Sequence, residues 1–154
     1  SSPRPLARST LHSGNFPPNT PMAGSKSTYL DNKLLDLYLS AVAFSGPATL
    51  YFALFTAAPN AGGGGTEVAG NAYARVAVVA NTANFPAAAG GSKSNATVIS
   101  WPTATGAWGT IVAMAVFDAA AAGNMLLWTT LTPKVVNLND TVSIPIGNFT
   151  VTET

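Results

Sequence analysis

The chain contains no cysteine, which excludes disulfide staples, thiolate zinc sites and cysteine nucleophiles together. Charge is nearly as scarce: Asp, Glu, Lys and Arg make up 8% of 154 residues, against about a quarter in an ordinary soluble domain. There is a single histidine, His12. One imidazole on a segment without its own fold offers neither a base held against a nucleophile nor a set of metal ligands. No apolar run approaches the roughly 18 residues of a membrane span, and the first residues lack the apolar core of a secretory signal. The net charge of +1 gives no basic face for nucleic acid or for a membrane surface. Neither partner is expected, and no cofactor either.

What remains is a chain that is 47% apolar and rich in Ala, Gly and Thr. A free protein normally uses charge to stay dispersed, so this balance suits a part used inside an assembly. The length allows one domain with a real core. The few charges are unevenly placed. Arg4, Arg8, Lys26 and Lys33 against Asp31 make the first 33 residues basic, whereas Arg75, Lys93 and Lys134 are outnumbered by Asp36, Glu67, Asp118, Asp140 and Glu153 in the remainder.

Residues 1–27, "SSPRPLARSTLHSGNFPPNTPMAGSKS", hold Pro3, Pro5, Pro17, Pro18 and Pro21 and show no helical or alternating pattern. Proline fixes φ and removes backbone donors, so this stretch is expected to be an extended arm that cannot fold by itself. Alone it is a tail; in an assembly it lies on a neighbouring subunit or partner. From Thr28 the pattern changes, with Leu30, Leu34, Leu37, Tyr38 and Ala41 at helical spacing. A helix over about 29–44 is expected, opened by Thr28 and Asp31 as a capping box and stopped by Gly46-Pro47. Leu35, Leu39 and Val42 widen its apolar face. Such a helix either covers one end of a β core or sits at a subunit contact.

Everything after Pro47 reads as strands, at 48–56, 72–80, 96–101, 110–118, 124–131, 134–138, 141–146 and 148–152. Eight short strands with no helix between them argue for an antiparallel β-sandwich of Greek-key or jelly-roll type, with residues 28–154 as its single domain. The runs "LYFALF" (50–55) and "IVAMAVF" (111–117) are apolar at successive positions, which fits central strands covered on both faces.

The candidate chemical sites are few. "GGGGTEVAGN" starts like a phosphate loop, but Thr66 and Glu67 stand where a lysine and a hydroxyl are needed, and a strand follows where a helix should. The carboxylates are scattered, and Asp118 and Asp140 lie in turns where Asp commonly satisfies backbone amides. With no nucleophile and base in sight, no catalytic, cofactor-binding or metal residue is assigned. Trp108, in the loop "TATGAWGT", is the best aromatic for a sugar-stacking platform on a β-sandwich, with core packing or a subunit contact as the competing use.

The ordered part resembles a known family. The segments "LFTAAPNAGGGGTEVAGNAYARVAV" and "ISWPTATGAWGTIVAMAVFDAAAAGNMLLWTTLTPKVVNLNDTVSIPIGNFTVT" are similar to small virion proteins of tailed bacteriophages, often labelled tail-fibre or minor structural proteins. The resemblance runs over roughly residues 29–152. It implies a β-sandwich virion structural protein without catalysis, made in the host cytoplasm. The arm lies outside the resemblance, and an arm that reaches across neighbours is what a capsid cement or decoration protein needs. Fibre or baseplate attachment needs the same kind of arm, but small size and the absence of any repeat or long coiled coil make the expectation a cement protein on the capsid exterior, binding the major capsid protein and copies of itself, for instance as a trimer. A tail-fibre or adaptor module is the alternative, and a carbohydrate-binding module using Trp108 is a second. Candidate partner contacts are Arg4, Pro5, Arg8, His12, Phe16, Pro17 and Pro18 in the arm, Trp108, and the loop glycines Gly62, Gly63, Gly64 and Gly65.

Overall fold

The computed structural model describes residues 7–11 and 24–153. In chain order these form β1 (Ala7–Leu11), β2 (Gly24–Lys26), α1 (Thr28–Ser40), β3 (Thr49–Ala57), β4 (Thr66–Glu67) and β5 (Val76–Val79). Then come β6 (Ser92–Ser94), β7 (Ile99–Ser100), β8 (Gly109–Phe117), β9 (Met125–Val136), β10 (Ser143–Ile144) and β11 (Phe149–Glu153). The fold is mainly β with one helix, and every strand pairing is antiparallel.

Eight strands run in the order β4-β3-β8-β9-β2-β1-β11-β6, with β5 sharing the outer edge of β3 with β4; β7 and β10 form a separate pair. The large sheet cannot lie flat. Phe52 on β3 and Phe149 on β11 have ring centroids 5.1 Å apart in an edge-to-face contact. Five strand spacings separate these strands along the sheet, roughly 24 Å if it were planar. The sheet therefore curls until its two halves face each other, and Phe85 packs on Phe149 from a loop at 6.2 Å. Between the halves lies the main core, which includes Phe52, Leu54, Ile99, Trp101, Ile111, Met114, Val116, Val142 and Ile144.

Side chains alternate across a strand, and β3 shows the result. Phe52 and Leu54 enter the main core, while Ala53 and Phe55 join Ala113, Ala115 and Met125 in a second cluster on the opposite face. The unbroken apolar runs of β3 and β8 thus belong to central strands buried on both sides, as their sequence implies.

Several boundaries differ from the sequence expectation. Residues 124–131 and 134–138 join in one strand, β9, despite Pro133. The register with β8 jumps from Ile111↔Lys134 to Ala113↔Thr130, a bulge that carries the proline where no ladder donor is required. The strand expected from residue 72 starts only at Val76, because Asn71 and Ala72 take positive φ (51° and 65°) and Tyr73 N–H bonds Gly70 O in a turn. The helix is capped by Ser27, whose hydroxyl accepts from Leu30 N at 3.1 Å, rather than by Thr28. It stops at Ser40, because Ala41 adopts a left-handed φ of 53° and Val42 N bonds back to Asp36 O.

Part of the segment read as an arm belongs to the chain's own sheet. β1 runs along β11 from Ala7↔Glu153 to Leu11↔Phe149, and β2 pairs with β9. The edge of β11 offers these residues a full ladder of backbone partners, which their own sequence could not supply. Arg4, Pro5, His12, Phe16, Pro17 and Pro18 lie outside the described residues, and of Arg8 the backbone pairs with Thr152.

Candidate interaction surfaces

Four of the sequence segments that stood out converge at one place. Glu67 from β4 accepts from Arg75 through both carboxylate oxygens, Nε at 2.9 Å and Nη2 at 2.8 Å, and from the Tyr73 hydroxyl at 2.9 Å. Arg75 Nη1 also donates to the carbonyls of Ala119 and Ala122, at 2.9 and 2.8 Å, in the turn after β8. Its guanidinium lies 3.7 Å over the Phe117 ring. Tyr73 in turn accepts from Leu54 N at 2.9 Å and meets Trp108 edge-on at 5.4 Å. A planar guanidinium with five donors is the one side chain that can hold a carboxylate, two carbonyls and an aromatic face at once. The arrangement is a clamp that ties β4, the β8–β9 turn and the Trp108 loop together. Burial holds the Tyr73 phenol as a neutral donor, with its pKa far above the ordinary value.

The two turn carboxylates are likewise engaged locally. Asp118 is engaged by Asn124, whose backbone N and side-chain Nδ2 donate to its two oxygens at 2.7 and 2.8 Å. Asp140 accepts from Asn137 N at 2.7 Å. Trp108 is not an open platform. It is 5% exposed, and its indole N–H donates to Asn71 O at 2.9 Å. The loop position suggested exposure, but the ring is drawn inward because Tyr73 and the Asn71 carbonyl satisfy both its face and its donor.

Gly62–Gly65 form a tight turn. Asn60 and Gly63 exchange two backbone bonds at 2.9 Å, and Gly62 N donates to Asn60 Oδ1 at 2.8 Å. Gly65, at φ 77°, passes so close to the chain that a Cβ would stand 2.6 Å from Ala57 O. Ala61 O accepts from Thr28 N at 2.8 Å, so the turn seats the start of α1. A recess of about 480 Å³ lies between them, lined by Tyr29, Phe55, Gly62–Gly65, Glu67, Phe117 and Asn124. The amides of Thr28, Leu30, Gly62 and Gly63 are already bonded, and Glu67 brings negative charge. That charge works against an anion in the recess.

A family model described as podophage GP4 fiber I protein gp80 matches residues 25–152. The chain belongs to this family. The match begins one residue inside β2 and ends one residue before the last residue of β11, so it takes in α1, the clamp and the whole core. No curated protein matches the sequence. The clamp is internal scaffold, and the exposed surfaces lie elsewhere.

Two such surfaces are apolar. The first is α1, of which no residue is buried. It touches the body through its start, where Ser27 N bonds Leu126 O on β9 and Lys26 reaches Asp31 at 3.7 Å and Glu153 at 3.1 Å. The second is a groove of about 610 Å³ at one open end of the sandwich, where Leu30, Leu50, Phe85, Leu127, Phe149 and Val151 face it and Lys93 stands on its rim. Sequence reasoning offered a subunit contact as one of two uses of α1, from its widened apolar face, and did not single out the groove.

Proposed function

We propose that this chain is a non-enzymatic fibre component of a podophage-type tail. The family match carries the proposal: it spans nearly the whole folded body and is described as a fibre protein. The fold is consistent with that role. Its best-buried ion pair, Arg75 with Glu67, is spent on an internal clamp, and its surface includes an apolar helix face and groove, which suits a part held by neighbours. The reading as a capsid cement drew on an arm free to reach other subunits. Residues 7–11 and 24–26 instead pair with the chain's own β11 and β9, which takes away part of that support.

Immunogold labelling of virions with antibody against the folded chain tests the assignment. Label confined to the tail is the expected result. Label spread over the head would overturn it and return the cement reading.

A further inference from the structure

Helix α1 carries two apolar stripes. Leu30, Leu34 and Leu37 lie on one face, which leans toward the body through Leu30 at the groove. Leu35, Tyr38 and Leu39 lie on the next, at i, i+3 and i+4, the spacing of a helix face that docks into a partner's groove, and Val42 follows the left-handed Ala41 that ends the helix. These four are 46%, 72%, 81% and 51% exposed. A 13-residue helix is marginal alone in water, and half of this one's apolar surface has no cover within the described residues. The same chain exposes an apolar groove whose volume equals about twenty waters at roughly 30 Å³ each. Its walls are the two halves of the curled sheet and the 80–91 loop.

The charges flanking these surfaces are complementary. Asp36 sits beside the exposed stripe and Lys93 lines the groove, and among the described residues neither has an ion-pair partner, whereas Glu153, which also lines the groove, is paired with Lys26.

We propose that the groove receives the Leu35–Leu39 stripe of a second copy of this chain, with Asp36 of one copy facing Lys93 of the next. The contact is head-to-tail: helix and groove are different surfaces, so each copy offers one of each and the contact propagates into a ring or a chain. Charge at the rim sets the orientation in which the apolar stripe enters. The inference holds wherever in the virion the protein resides.

The test uses the full chain, with self-association measured by sedimentation velocity across a concentration series. Wild type associates. Leu39→Asp abolishes association while leaving the unfolding midpoint unchanged, since Leu39 is solvent-exposed in the free chain. Asp36→Lys and Lys93→Asp each weaken association by about tenfold in Kd, like charges then facing each other at the rim. Mixing the two variants restores it, because the lysine helix of one fits the aspartate rim of the other. A chain that stays monomeric up to about 1 mM overturns the proposal. So does association that survives Leu39→Asp. Association that Leu39→Asp abolishes but mixing fails to restore indicates helix-to-helix pairing and equally overturns it.

Discussion

Arg75 is the residue whose loss should be felt furthest. Replacing it by methionine keeps an apolar stem over Phe117 but removes the donors to Glu67, Ala119 and Ala122. Glu67 then keeps only the Tyr73 hydroxyl as a donor to its carboxylate. Breaking a buried ion pair from one side costs about 3–5 kcal/mol. The Arg75 side chain is 8% exposed but that of Glu67 is 26% exposed, so some solvation of the orphaned carboxylate survives and the cost falls near about 3 kcal/mol. In a domain of this size 1 kcal/mol corresponds to about 2–4 °C, which puts the fall in Tm at about 6–12 °C. Urea unfolding followed by tryptophan fluorescence measures it, with an unchanged slope showing that the folded state is otherwise intact. The double variant Glu67→Gln, Arg75→Met removes the orphaned charge and should be more stable than Arg75→Met alone. A loss below about 1 kcal/mol, or a double variant no better than the single, would refute the claim that the clamp holds β4 and the β8–β9 turn together.

Tyr73 gives a pH signature: its phenol pKa, chiefly because of burial, lies well above the ordinary value of 10.0. Above pH 10 the unfolded chain releases a proton that the folded chain keeps, so stability falls as pH rises, by about 1.4 kcal/mol per unit from this group; Tyr73→Phe should remove that part of the slope in denaturation curves between pH 9 and 11. Gly65→Ala combines a left-handed φ with a Cβ 2.6 Å from Ala57 O, whereas Gly64, at φ 76°, has open space around it. The first should cost more than 2 kcal/mol and the second about 1–2 kcal/mol, so equal thermal shifts would contradict the close approach described. Phe149→Ala removes the ring that touches both Phe52 and Phe85 and should cost about 3–5 kcal/mol, with exposure of the core to a hydrophobic dye as an independent readout.

Local pattern alone settled several elements. A helix was legible from Leu30, Leu34 and Leu37, and the long strands β3 and β8 from apolar runs, because repeat spacing and β-branched or aromatic content act within a few residues. The two-residue and three-residue strands β4 and β6 were not, since so short a pairing is made by its partner strand and carries little signal of its own. Pro133 was read as a break because its missing donor is a local fact, while the bulge that tolerates it depends on β8.

The sequence by itself determined a neutral, cysteine-free, β-rich chain with one helix and the segments that mark its family, since composition and short-range spacing need no partner to be expressed. Only the tertiary structure decided what those segments do. Glu67, Tyr73, Arg75, Trp108 and Phe117 are spread over fifty residues of chain, and the sheet order brings them into a single clamp. It likewise decided that Trp108 is buried and Leu39 exposed. Burial is set by what packs against a side chain from distant parts of the chain, and hydrophobicity alone does not fix it.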